Sequence, residues 1–136
     1  MNNGRFAIAT HILVLLCKNE RELLSSDYIA SSININPVLV RKEISVLKKA
    51  GVVSSKEGKN GGCYLAKKAS DINLGFIFKL VFPKSILSLA KNTPNPKCPV
   101  GKKINGHLEN LYSEAEQAML QKLSNINLKD FCKKFD

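Results

Sequence analysis

Apolar residues near the start of the chain recur every three to four positions: Phe6, Ala9, Ile12, Leu13 and Leu16. That period lays them on one face of a helix over about residues 4–18. A second helix is expected to begin near Ser26-Asp27, with Ser26 as its N-cap, and to bury Ile29, Ala30 and Ile33. After the short link Ile33-Asn34-Ile35-Asn36-Pro37, Asn36 supplies a cap and Pro37 a first-turn proline. The third helix should run to about Ala50 and stop at Gly51, which tolerates the left-handed conformation of a helix C-terminus. Its faces separate cleanly. Val40, Ile44 and Leu47 point inward, while Val38, Arg41, Lys42, Ser45 and Lys49 form the opposite stripe.

The rhythm then shortens. Val52-Val53-Ser54 and Cys63-Tyr64-Leu65 read as two short strands. Between them Lys56, Lys59 and Asn60 supply polar chemistry, and Gly58, Gly61 and Gly62 let the backbone turn tightly. From Asp71, expected as a cap, a helical pattern returns through Ile72, Leu74, Ile77, Phe78, Val81 and Phe82, and Pro83 ends it. Residues 83–99 are irregular, with a loop at Asn92-Thr93-Pro94-Asn95-Pro96. Beyond Pro99, Ile104, Leu108, Leu111, Ala115 and Ala118 follow the 4-3-4-3 spacing of a coiled-coil seam. Such a seam needs a partner surface, and dimerisation is the expectation over folding back on the same chain. A short last helix should run from Leu128 to about Phe135.

Helix, turn, helix and basic hairpin is the layout of a winged helix-turn-helix. The fold class is therefore mainly α with a small β-hairpin wing, plus a long C-terminal dimerisation helix. Residues 1–82 form the expected DNA-binding domain. Residues 83–136 form a loop and dimerisation helices packed with it as one structural unit.

Charge agrees with that layout. The chain of 136 residues carries a formal charge of +10, which favours a polyanionic partner without choosing among polyanions. Double-stranded DNA is the partner expected, read by Asn36, Val38 and Arg41 at the start of the third helix. Arg41 can donate two hydrogen bonds to guanine. Lys42, Ser45 and Lys49, with Lys56, Lys59 and Asn60 of the wing, complete the DNA-contacting set. No apolar run approaches the roughly 18–20 residues that span a bilayer, and no export signal opens the chain, so a cytoplasmic protein without membrane contact is expected.

Enzyme chemistry finds little footing. The four cysteines, Cys17, Cys63, Cys98 and Cys132, are scattered, and only two histidines occur. No zinc spacing and no nucleophile–base grouping results. The glycine-rich loop lacks the Lys-Ser/Thr ending of a P-loop, and no GxGxxG precedes a helix. The rival reading is a winged helix used as a protein-interaction module without DNA binding; it predicts no salt-sensitive affinity for DNA. A redox or metallo-enzyme would require a bound cofactor.

Several segments resemble one family. Ile29-Ala30, Asn36-Pro37-Val38 leading to Arg41 and Leu47, Ala50-Gly51-Val52-Val53, and the wing Gly61-Gly62-Cys63-Tyr64-Leu65-Ala66 are similar to the Rrf2 family of bacterial winged-helix regulators, the IscR, NsrR and CymR type. Val81-Phe82-Pro83 and Asn95-Pro96-Lys97-Cys98-Pro99-Val100-Gly101 are closest to its YwnA-like branch. The resemblance implies a homodimeric transcription regulator, more often a repressor, on a pseudo-palindromic operator. Several members hold an iron–sulfur cluster through three cysteines between the fourth and the long helix. Here only Cys98 lies in that region, so no cofactor and no metal are expected. Some cluster-free relatives sense oxidants through thiols. That role would fall to Cys98, which has lysines nearby and opens a helix, or to Cys17.

Overall fold

The computed structural model describes residues 4–136; the first three residues of the expected DNA-binding domain lie outside the described residues. Helix α1 spans Gly4–Lys18 and lies at the centre of the packing, touching α3, α4 and the last helix. Ala9, Ile12, Leu13 and Leu16 of its predicted stripe are buried, as is Val14 on the flank. Phe6 is half-buried and meets the Phe78 ring edge-on, centroids 5.4 Å apart.

Helix α2 is Ser26–Ile33. Its cap is Ser25, one residue before the Ser26 expected, and the Ser25 hydroxyl accepts from the Tyr28 N–H at 3.1 Å. Either serine can chemically cap; the helix starts where Ile29 and Ala30 can face the core. Asn34, at φ 64°, breaks the helix and turns the chain into α3, Pro37–Lys49. There Asn36 Oδ1 accepts from the Val38 N–H at 2.9 Å, ahead of the first-turn proline. A cap of this kind is worth about 1 kcal/mol. Gly51, at φ 76°, carries the chain out of α3 in the left-handed region that a β-carbon disfavours.

The wing strands are β1, Val53–Lys56, and β2, Gly62–Leu65, antiparallel with Val53 opposite Leu65 and Lys56 opposite Gly62. Strand β1 starts one residue later than expected, because Val52 is still completing the α3 exit: its N–H donates to Leu47 O at 3.0 Å. Leu24 adds a bridge on the other side of β2, exchanging two hydrogen bonds with Cys63 at 3.1 and 2.8 Å. The hairpin is thus tied through β2 to the segment leading into α2.

A short 3-10 turn, Ala69–Asp71, precedes α4, Leu74–Val81. The cap of α4 is Asn73, which accepts from the Phe76 N–H at 2.7 Å, and not Asp71, whose place in the turn leaves it exposed. Helix α4 stops at Val81, ahead of Pro83. The irregular stretch that follows is gathered by one carboxylate: Glu116 accepts from Ser85 Oγ and from the N–H groups of Ile86 and Leu87 at 2.7–3.0 Å.

Helix α5, Pro99–Ser124, leaves none of its 26 residues buried. It rests on α4 at Gly75, where a β-carbon would stand 2.9 Å from Ser124 Cα, so a larger residue would push the two helices apart. Helix α6, Leu128–Cys132, is capped by Asn127 and returns to the domain: Leu128 is fully buried in the same core as α1 and α3. A 3-10 turn, Lys133–Phe135, ends the chain. The result is the expected mainly helical architecture with a two-stranded wing and a long C-terminal helix.

Candidate nucleic-acid interface

Helices α2 and α3 with the wing form a single outward face, and local sequence explains why. Val40, Ile44 and Leu47 are drawn into the core, which turns the residues between them outward. Arg41, Lys42, Ser45 and Lys49 are all exposed, as are Asn36 and Val38 at the N-terminal end of α3 and Lys56, Lys59 and Asn60 on the wing. Val38 keeps 59% of its surface in solvent although it is apolar. An apolar side chain held at a helix tip beside basic ones is suited to a thymine methyl group.

These residues occupy four places. Arg41, Ser45, Lys49 and Lys56 line one open crevice of about 540 Å3 between α3 and the wing. Asn36 and Val38 mark the tip of α3. Lys59 and Asn60 stand on the loop joining β1 and β2, and Lys42 lies outside the crevice. Lys48 and Ser55 line the crevice too and were missed in the sequence reading. Lys48 Nζ donates to Ser55 Oγ at 2.6 Å and so fixes the wing against α3. Its spacing of seven from Arg41 was the available signal, since residues two turns apart share a helix face. Burial pushes the neighbouring Cys63 thiol pKa up, and the charge of Lys48 partly opposes that.

One charged residue of α3 is drawn into the fold. Glu43 is 4% exposed, and its Oε1 receives the Arg5 Nε at 2.9 Å. Arg5 also donates through Nη1 to Val81 O at 3.1 Å. The pair offsets the charge of an acidic side chain that lies inside the fold.

The thiols are dispersed. Cys98 is exposed at the start of α5, where the N–H of Gly101 first, and then that of Val100, lower its pKa. Cys17 is pushed up to about 12, by burial first and then by its contact with Cys132. Cys63 is in the wing. Among the described residues no three His, Cys, Asp or Glu side chains converge as a metal site would require. No helix among them is long and apolar enough to cross a membrane.

Known proteins share this arrangement. The profile of the Rrf2 family, described as iron-dependent transcriptional regulators, matches residues 2–134. The HTH-type transcriptional regulator YwnA of Bacillus subtilis is 42% identical over 130 residues, covering 96% of each chain. A crystal structure described as a transcriptional regulator from Lactobacillus plantarum superposes with a TM-score of 0.84 at 26% identity, over 97% of this chain and 89% of that one. Another, described as a DNA-binding protein, gives a TM-score of 0.73 at 40% identity, over 93% of this chain and 97% of that one. With the profile spanning nearly every residue, the chain belongs to the Rrf2 family and is a winged helix-turn-helix transcriptional regulator, not an enzyme.

Proposed function

We propose that two copies of this chain bind a pseudo-palindromic operator and repress transcription there. The observation that carries this reading is the convergence of Arg41, Ser45, Lys49 and Lys56 on one crevice, with Lys59 and Asn60 beyond it on the wing. The tip of α3 enters the major groove, Asn36, Val38 and Arg41 meet base edges, and Lys42 and Lys49 meet phosphate. The wing carries Lys56, Lys59 and Asn60 to the adjoining backbone. Two α3 helices then lie about 34–36 Å apart, one turn of the duplex. A pair seated over a promoter blocks polymerase sterically, which needs no activating contact. The protein works in the cytoplasm, where its DNA lies and where thiols stay reduced.

No iron–sulfur cluster forms part of this proposal. Such clusters are held mainly by clustered thiolates. Cys98 stands alone before α5, whereas Cys63 is in the wing and Cys17 and Cys132 lie together on α1 and α6. The residues present do not fit the group. Oxidant sensing, where it operates, falls to Cys98, whose lowered pKa and exposure favour the reactive thiolate.

Fluorescence anisotropy on fragments selected from the source genome tests the reading. Arg41→Ala should relax the preference at one operator position by roughly 5- to 150-fold, the equivalent of 1–3 kcal/mol. Lys59→Ala should weaken operator and random duplex alike and lower the salt slope by about two, one for each copy. If both variants bind like wild type, the reading face is misassigned.

A further inference from the structure

We infer that Cys17 of α1 and Cys132 of α6 form a binding site for a soft monovalent metal cation, copper(I), held between their two sulfurs. The fold brings these residues together across 114 intervening positions: α1 and α6 pack against each other, and a hydrogen bond joins the two thiols. Cys132 is buried, only 6% exposed, whereas Cys17 is half-buried and keeps some contact with solvent. Leu128 and Phe131 of the same short helix pack into or against the core. The pair is thus sheltered from water but not sealed from it.

The number and kind of donors choose the ion. Structural zinc takes four ligands, and iron–sulfur clusters are held mainly by groups of thiolates. The want of a third ligand among the described residues excludes both, but not an ion content with two. Copper(I) is soft, favours thiolate and is stable between two sulfurs in line. Glu20, whose carboxylate accepts from Cys17 Sγ at 4.0 Å, offers hard oxygen that such an ion does not seek. On binding, two S–H bonds break and two Cu–S bonds form; both protons pass to solvent, and no atom changes oxidation state. One negative charge remains on the complex. Lys18, which interacts with both thiols and also pairs with Asp136, offsets it. A bound ion clamps α6 to the central helix, and only residues 125–127 separate α6 from the end of α5.

The test uses the reduced full chain without oxygen or DNA, so its failure is separate from any failure of the operator reading. Copper(I) supplied as its bicinchoninate complex should transfer to the protein, one ion per chain, and X-ray absorption should show two sulfur neighbours. Cys17→Ser and Cys132→Ser should each weaken binding by more than the roughly 100-fold that loss of a ligand's supporting contact costs. Cys63→Ser and Cys98→Ser should bind like wild type. Cys132 is buried, so circular dichroism checks that its variant folds; Cys17 is half-buried, and its variant decides the matter if the other unfolds. Wild-type binding in Cys17→Ser, or loss of binding in Cys98→Ser, overturns the inference. So does a failure of copper(I) to transfer, and so does one ion for every two chains, because a thiol of each copy would then share it.

Discussion

Protein packed around a thiol raises its pKa, whereas backbone N–H groups aimed at it lower it. The chain uses both settings. Cys17 is raised to about 12, and Cys63 is raised by burial. Cys98 is lowered by the N–H groups of Gly101 and Val100. A lowered pKa leaves more thiolate at every pH below the ordinary thiol value near 8.5. Iodoacetamide at neutral pH should therefore alkylate Cys98 ahead of Cys17, Cys63 and Cys132, and Cys98 should stay reactive furthest as the pH falls. Peptide mass spectrometry after timed quenching reads the order; Cys17 reacting first would contradict it. The favoured thiol was legible from Pro99 and the lysines around it, because helix N-terminal chemistry is local. The contact of Cys17 with Cys132 was not, since 114 intervening residues separate them in sequence. Caps show the same limit at shorter range. Asn36-Pro37 admits one reading, but Ser25 and Ser26, or Asp71 and Asn73, are chemically equivalent until the core fixes the helix start.

Between elements, Arg5 is the main polar tie. It links α1 to α3 through Glu43 and to the end of α4 through the Val81 carbonyl. The Arg5 side chain retains 32% exposure while Glu43 retains 5%. Removing one partner of a fully buried pair costs about 3–5 kcal/mol, and the partial hydration here argues for about 2–3. Arg5→Met should lower urea-unfolding stability by that amount, because it strands a buried carboxylate. Combining it with Glu43→Met should restore most of the loss. Equal losses in the single and double variants would show that Arg5 acts by packing alone. The helices themselves were legible from apolar spacing, and so was the wing. Glu43 falls on the inward face by the same arithmetic as Val40, Ile44 and Leu47, although an unpaired carboxylate there would be costly. Only the distant arginine explains its burial.

The whole molecule leaves one large element without a full partner. Helix α5 touches its own domain mainly through α4, near Gly75 and Ser124, and through the Glu116 loop contacts. Of the seam anticipated from spacing, Ile104 and Leu108 are half-buried, whereas Leu111, Ala115 and Ala118 are exposed, Leu111 by 57%. Val100 at the same end is exposed by 68%. Apolar surface of this extent on a 26-residue helix would be stabilised by the second copy proposed above, which would also set two α3 helices to the spacing of successive major grooves. Leu111→Asp with Ala118→Asp places like charges on that seam while touching no buried side chain, so the monomer should keep its helical content. Sedimentation should then show one chain where the wild type shows two. Operator affinity should fall to that of a half-site, and the slope of log affinity against log salt should drop by about half, as half the phosphate contacts remain. A variant that still sediments as a pair would move the dimer contact away from this seam. A wild type that sediments as one chain, yet binds the whole operator with the full slope, would remove the need for a second copy.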